Sequence, residues 1–157
     1  MYDNLLPSIR NAARALIIRG GQVLLLRKEG GGRGPRFSLP GGAQDPGETL
    51  EAALQRECSE EIGTRVTIRD LIFVADFFKE RATEPPTVRH LVEFIFRCTV
   101  PDDYVAINGY KPDRHQTDVL WVELGTLSQL SFQPPSIGTF LAGFQEDEER
   151  VYLGLID

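Results

Sequence analysis

The segment "GAQDPGETLEAALQRECSEEIG", residues 42–63, carries the strongest structural signals in the chain. Its first part is rich in glycine and proline, a composition that predicts a turn. From Thr49 to Ile62 there is no glycine or proline, most residues are good helix formers, and Gly63 supplies the expected stop. The sequence therefore predicts a glycine-rich turn followed by a helix from Thr49 to Ile62.

Three glutamates of the predicted helix do not lie on its polar face. With residues placed at about 100° per position, Glu57 and Glu61 fall inside the apolar stripe and Glu60 lies at its edge. The stripe itself consists of Leu50, Leu54, Cys58 and Ile62. Because burying unpaired carboxylates is costly, such acids must share protons or hold a cation. Carboxylates at this spacing suit Mg²⁺ or Mn²⁺. The alternative is that the last turns emerge from the core and the acids are solvated.

The residues before the helix bear on these alternatives. The glycine turn lets backbone groups approach an anion or offer a carbonyl to a metal ion. Glu48 stands eight residues before Arg56, and on the helical wheel the two lie on neighbouring faces. A charge-assisted contact between them would stiffen the loop against the helix. The other possibility is an ordinary surface pair of little energetic value.

The rest of the chain predicts one domain, residues 1–157, without internal repeats. Residues 11–30 resemble two apolar strands joined at Gly20 and Gly21, which favour a hairpin. The run "GGGRGPR", residues 30–36, predicts a mobile loop. Further predicted elements are strands at 65–78, 88–98 and 118–124, a short helix at 124–130 and a last helix at 136–144. Strands between helices in one small chain favour a mixed sheet with helices on its faces.

Composition narrows the class of protein. With 157 residues, 41% hydrophobic and 25% charged, the chain is typical of a globular protein. No apolar run is long enough to span a membrane and no signal peptide is evident, so a cytoplasmic location without membrane association is expected. The net charge of −6 argues against nucleic-acid binding. Cys58 and Cys98 have no metal-binding spacing and are expected to be reduced and buried.

The residues of the opening segment spell a known pattern. The matching positions are Gly42, Glu48, Arg56, Glu57, Glu60, Glu61 and Gly63, with Cys58 between the acids. This pattern closely resembles the Nudix box of the Nudix hydrolases, conventionally G-x5-E-x7-R-E-U-x-E-E-x-G-U, where U is a bulky aliphatic residue. Cys58 and Thr64 depart from the pattern, but both stand at packing positions. The order of the flanking strands is also similar to that of the family.

The resemblance implies a fold, a reaction and a set of roles. The fold is the Nudix fold of the α/β (α+β) class, an α/β/α sandwich around a mixed β-sheet. The reaction is hydrolysis of a nucleoside diphosphate linked to another moiety, with Mg²⁺ or Mn²⁺ as cofactor. The metal ligands implied are Glu57, Glu61, Glu60 and the Gly42 carbonyl. Glu60 is a further ligand or the catalytic base, and Arg56 and Glu48 orient the loop and helix.

The substrate is less well defined by the sequence. The order of elements looks most like bacterial ADP-ribose pyrophosphatases, so ADP-ribose or a similar nucleoside diphosphate sugar is the first expectation. The family's substrate-specific proline or tyrosine past the box is absent, since Lys79 and Glu80 stand there. A nucleoside triphosphate pyrophosphohydrolase is therefore the alternative. A Nudix-fold binding or regulatory module without turnover is disfavoured, because every acid of the box is present.

Residues outside the box supply weaker candidates. Arg19, Arg27 and Arg36 could contact phosphates, and Phe37 could stack on a base. Each has a structural alternative, solvent for the arginines and core packing for Phe37. The mouth of the cleft could be lined by His90, His115 or Asp118. The expected partner is a small-molecule nucleoside diphosphate derivative. A homodimer is common in the family, and the apolar N-terminal segment could serve it.

Overall fold

In the computed structural model, which describes residues 3–145 and 149–157, a mixed eight-stranded sheet carries the helices on its two faces. The strands are β1 Leu5–Arg19, β2 Gln22–Gly30, β3 Arg33–Ser38, β4 Gly41–Ala43, β5 Thr67–Arg81, β6 Thr87–Thr99, β7 Gln116–Glu123 and β8 Tyr152–Ile156. The helices are α1 Leu50–Ile62, a 3₁₀ helix Leu124–Gln129 and α2 Pro135–Ala142. The main strand order is β3-β2-β1-β6-β5-β8, with β4 paired to β1 and β7 to β2.

The predicted helix forms as expected, and its ends show why. The Thr49 side chain accepts a hydrogen bond from the Ala52 backbone N–H at 3.0 Å, which caps the first turn. At the other end Gly63 adopts the left-handed conformation, with φ 72°, and its N–H donates to the Cys58 carbonyl. A residue with a Cβ would be strained there, so the glycine ends the helix at a fixed place.

The hairpin of β1 and β2 is also confirmed. Gly20 and Gly21 have φ values of 59° and 75°, and Ile18 pairs with Val23 across the turn. Away from this end β1 leaves β2 and runs parallel to β6. This places β1 in the centre of the sheet, where its residues alternate between two cores.

The two cores make the α/β/α sandwich that was predicted. On one face, Ala13, Ala15 and Ile17 of β1 pack with Leu54 and Cys58 of α1. On the other face, residues of the 3₁₀ helix and α2 join the core. This second core contains Leu16, Phe73, Leu127, Ile137 and Leu141. Both cysteines are free and buried, as expected.

Two parts of the chain differ from the prediction. The supposed mobile loop at residues 30–36 is mostly strand, because Arg33–Ser38 pairs antiparallel with β2. Pro35 is tolerated there since β3 ends the strand order, where a missing N–H disrupts less of the ladder. The strand β8 was not foreseen in the charged C-terminal segment, and it pairs parallel with β5 at the other end of the sheet. No helix in the described ranges has the length and apolar character to cross a membrane.

Candidate active site

Three glutamates in the second half of α1 are shielded from water. Glu61 is 1% exposed, and the side chains of Glu57 and Glu60 are 17% and 16% exposed. All three are therefore largely shielded from water. The alternative of a solvated acidic face does not describe this helix.

Glu61 has one satisfied and one unsatisfied oxygen. Its Oε1 accepts a hydrogen bond from the Gly41 backbone N–H at 2.8 Å. Its Oε2 is buried and has no hydrogen-bond partner among the described residues. Burial is the main reason that the pKa of the Glu61 carboxyl is raised, to about 8. A buried carboxylate oxygen without a donor is the kind of atom that a cation would satisfy.

Gly42 lies directly against Glu57. A Cβ atom at position 42 would come within 2.6 Å of the Glu57 carboxyl carbon and Oε1, so no larger residue fits without a shift. The absence of a side chain at Gly42 thus lets the main chain approach the Glu57 carboxylate closely. Burial raises the pKa of Glu57, while the neighbouring Arg56 guanidinium acts against this shift.

Arg56 clamps the loop to the helix. Its Nε and Nη2 donate to the two carboxylate oxygens of Glu48, both at 2.8 Å, and Nη2 also donates to the Ala43 carbonyl. Its Nη1 donates to Glu57 Oε1 at 2.9 Å. The pKa of Glu48 is lowered to about 2, mainly by the hydrogen bonds from Arg56. The predicted contact between Glu48 and Arg56 is thus a bidentate pair, not a loose surface pair.

These residues fit a divalent cation by their chemistry. Glu57, Glu60, Glu61 and the main chain at Gly42 offer hard oxygen atoms, which suit Mg²⁺ or Mn²⁺. The unsatisfied Glu61 Oε2 and the close approach of Gly42 to Glu57 support that fit. Among the described residues, no three His, Cys, Asp or Glu side chains lie close enough together to form a complete cation site. Arg56 and the Gly41 N–H occupy one oxygen each of Glu57 and Glu61.

Arg14 and Glu93 support the site from the sheet, and no local sequence signal predicted them. Arg14 Nε donates to Glu93 Oε2 at 2.9 Å, and Arg14 Nη1 donates to the Gly41 carbonyl at 2.8 Å. Glu93 is 2% exposed. Both backbone polar groups of Gly41 are thus engaged: its carbonyl accepts from Arg14, and its N–H donates to Glu61. Glycine is required at position 41, because φ is 133° and a Cβ would lie 2.0 Å from the Ala13 carbonyl oxygen.

The loop before β7 fixes the last turn of α1. Carbonyl groups at a helix C-terminus lack hydrogen-bond donors within the helix, and here the loop supplies these donors. Lys111 N–H donates to the Glu60 carbonyl and Gly109 N–H to the Glu61 carbonyl, at 3.0 and 2.9 Å. The Tyr104 hydroxyl adds a bond to the Ile62 carbonyl at 2.7 Å. The backbone that carries Glu60 and Glu61 is therefore held in place by this loop.

The four substrate candidates outside the box are engaged within the protein. Arg19 donates to the Tyr104 carbonyl and stacks over Trp121, with its guanidinium carbon 4.4 Å from the ring centroid. Arg27 contacts Glu29, Thr117 and Asp118. Arg36 is buried and donates to the Gly30 carbonyl, and Phe37 is part of the core. None of the four lines the cleft described below.

The two histidines also lie in internal contacts. His90 Nε2 lies 2.6 Å from Asp76, which the Tyr152 hydroxyl also contacts. The His115 ring rests on the glycine turn between β2 and β3, where a Cβ at Gly30 would come within 2.7 Å of its Nδ1. The structure brings neither histidine into the group formed by the box residues.

Comparison with known proteins identifies the class. A family model described as the NUDIX domain matches residues 9–144, and the chain therefore belongs to the NUDIX domain family. It is a Nudix hydrolase of the pyrophosphohydrolase kind. Members of this family act on small-molecule nucleotides and generally use divalent metal ions.

Individual relatives agree with this assignment. The chain is 30% identical over 131 residues to "Nucleoside triphosphatase NudI" of Enterobacter sp. (strain 638), covering 79% of this chain and 89% of the relative. The MutT protein of Methanosarcina mazei Go1 has a similar fold, with TM-score 0.69 and 23% identity over 92% of this chain and 99% of that one. A NUDIX hydrolase from Nitrosomonas europaea has TM-score 0.68 and 20% identity, over 94% and 78%.

The buried Glu61 predicts that stability without metal falls as the pH rises. Its pKa in the folded state, about 8, lies above the ordinary glutamate value of 4.5, so the folded state holds a proton that the unfolded state releases. This contribution is fully present below the unfolded pKa and is lost as the pH rises through about 8. The unfolding midpoint in a chelator should therefore fall across this range, more steeply for the wild type than for Glu61→Gln. Parallel curves for the two proteins would contradict the assigned burial.

Proposed function

We propose that this protein hydrolyses the diphosphate linkage of a nucleoside triphosphate, releasing a nucleoside monophosphate and pyrophosphate, with Mg²⁺ or Mn²⁺ as cofactor. The observation that carries the proposal is the unsatisfied, buried Glu61 Oε2 beside Glu57 and Gly42. This arrangement offers oxygen ligands to a divalent cation, which would in turn neutralise the negative charge of the diphosphate.

The roles of the residues follow from their positions. Glu57 and Glu61, with the Gly42 carbonyl, would hold the cation. When bound, a divalent ion supplies neutralisation of the diphosphate charge and activation of a water molecule. Glu60 is the proposed base that takes the proton of the attacking water, since its side chain lies 3.8 Å from Arg56 in a looser ion pair than that of Glu57. Arg56 and Glu48 are positioning residues that keep Glu57 in place.

The choice of a triphosphate rests on sequence similarity. The relative with 30% identity is described as a nucleoside triphosphatase. The second candidate is ADP-ribose or a similar nucleoside diphosphate sugar, which the order of sequence elements favours. Both substrates contain the same diphosphate linkage, so the same acids would serve either reaction.

A substrate panel tests the proposal. Nucleoside triphosphates, including oxidised ones, should be compared with ADP-ribose, other nucleoside diphosphate sugars and dinucleoside polyphosphates by kcat/KM, with Mg²⁺ and with Mn²⁺. We expect the best triphosphate to exceed ADP-ribose by about tenfold or more, with equal amounts of monophosphate and pyrophosphate formed. A tenfold advantage of ADP-ribose would replace the first candidate by the second. Absence of turnover on every substrate would refute both.

A further inference from the structure

Lys79 lines an open cleft, which shares residues with a small cavity beside Arg14 of the candidate active site. The cleft has a volume of about 850 Å³, and Arg33, Phe77 and Gln133 are among its walls. It adjoins a small cavity of about 30 Å³ to which Lys79 and Gln133 also contribute, together with Arg14 and Ser38. Lys79 therefore stands where the open cleft meets the enclosed cavity.

The charges around this cavity leave Lys79 without a counter-ion. Arg14 is paired with Glu93, and the Lys28 ammonium lies 2.6 Å from an Asp113 carboxylate oxygen. Within residues 3–145 and 149–157, the Lys79 ammonium has no hydrogen bond or ion pair. The pKa of Lys79 is lowered mainly by burial and further by the charges of Arg14 and Lys28, while the carboxylates of Asp113 and Glu93 act against this shift. Because those two carboxylates already pair with Lys28 and Arg14, the half-buried Lys79 ammonium would be stabilised by a further anion.

A second polar group in the same cavity is also unsatisfied. Ser38 is 6% exposed, and its Oγ is buried without a hydrogen-bond partner among the described residues. Buried hydroxyl groups are normally hydrogen-bonded, so an unpaired one facing a cavity is available to an acceptor that enters the cavity. The ammonium group and the hydroxyl can both donate to the same oxygen-rich group.

The cavity is connected to the metal-binding corner through one residue. Arg14 lines the cavity and donates to the Gly41 carbonyl, while the N–H of Gly41 donates to Glu61. Arg14 and Gly41 thus link the cavity to the acids at which the diphosphate of the substrate is proposed to lie.

We propose that Lys79 and Ser38 form a subsite for a phosphate group of the substrate, outside the metal-binding corner. The inference rests on the proposed function, since it assigns the ligand of the same cleft. A phosphate fits because it offers several acceptor oxygens and negative charge to two donors, one of them cationic. The subsite favours a triphosphate over ADP-ribose, which has no third phosphate to place there.

Binding of inorganic tripolyphosphate to the metal-free protein tests the subsite apart from catalysis. Calorimetry should be done on the wild type, Lys79→Met, Lys79→Arg and Arg69→Met, the last as control because Arg69 is an exposed cation of β5. We expect Lys79→Met to raise the Kd about tenfold or more, since a hydrogen bond to a charged group is lost. Lys79→Arg should recover most of the affinity, and Arg69→Met should bind like the wild type. Equal affinity of wild type and Lys79→Met would overturn the proposal.

Kinetics supply a second readout. For the best triphosphate, Lys79→Met should raise KM about tenfold while kcat changes little, because the lost contact lies away from the reacting bond. The KM for ADP-ribose should stay near the wild-type value. The unfolding midpoint of Lys79→Met should not fall, since the variant removes an unpaired cation. An equal rise of KM for both substrates would overturn the assignment to a third phosphate.

The two proposals fail in different ways. Tripolyphosphate binding that depends on Lys79 in a protein without nucleotide turnover would refute the proposed function and keep the subsite. Triphosphate turnover that is unchanged in Lys79→Met would refute the subsite and keep the function. Binding of a nucleoside without phosphate that depends on Lys79, with no binding of tripolyphosphate, would also overturn the phosphate assignment.

Discussion

Replacing Glu61 by glutamine should lower kcat by about a hundredfold to a thousandfold and leave the protein folded. Glutamine has the same shape, so it can still accept the Gly41 N–H bond that Glu61 accepts. It lacks the negative charge that the buried Oε2 would give to a divalent ion. Loss of the metal ligand, not loss of structure, is therefore the expected cause.

The matched control is Glu51→Gln, in the first turn of the same helix, where the side chain is exposed. It should turn over substrate at the wild-type rate. The measurement is kcat for the best substrate at saturating Mg²⁺, with the unfolding midpoint of each variant. Near-normal turnover by Glu61→Gln would remove Glu61 from the catalytic machinery.

Replacing Arg56 by lysine should lower kcat about tenfold to a hundredfold, although the charge is kept. Arg56 uses three nitrogen atoms at once, two toward Glu48 and one toward Glu57. A lysine ammonium is a single point and cannot reproduce this fork. Glu57 would then lose the contact that fixes its position, and the loop that carries Glu48 would loosen.

A double-mutant cycle separates this effect from a general disturbance. In a Glu48→Gln background, Arg56→Lys should cost less than in the wild type, because part of the clamp is already lost. Arg65→Lys, at an exposed position just after the helix, is the control and should be neutral. Full additivity of Glu48→Gln and Arg56→Lys in kcat/KM would show that the two residues do not act as a unit.

The sequence predicted the parts of the site that local signals define. Thr49 and Gly63 mark the ends of α1, and the wheel shows that Glu57 and Glu61 share its apolar stripe. The contact of Glu48 with Arg56 spans only eight residues, so helix geometry could suggest it. Each of these features depends on neighbours that are close in the chain.

The parts that the sequence did not predict depend on long-range pairing. Arg14 and Glu93 are 79 residues apart and meet only because β1 and β6 run parallel. Lys79 and Ser38 share a cavity because separate strands bring them together. Arg19 was a reasonable phosphate candidate by charge, but carbonyl groups of the loop after β6 occupy its guanidinium. Hydrophobicity and charge patterns along the chain do not predict such long-range contacts.

The strand β3 illustrates the same limit at the level of the fold. Its first four residues, "RGPR", favour a loop, yet pairing with β2 makes Arg33–Ser38 a strand. Tertiary pairing overrides the local preference of glycine and proline at this position. Phe37, a stacking candidate by type, is consequently drawn into the core.

If the carboxylates of α1 hold the divalent ion, removing them should weaken the binding of Mn²⁺. Free Mn²⁺ can be followed by electron paramagnetic resonance during titration of the wild type and of a Glu57→Gln, Glu61→Gln double variant. We expect the wild type to bind Mn²⁺ and the double variant to bind it at least about tenfold more weakly, with Glu51→Gln unchanged. Equal Mn²⁺ affinity of the wild type and the double variant would show that Glu57 and Glu61 do not hold the divalent ion.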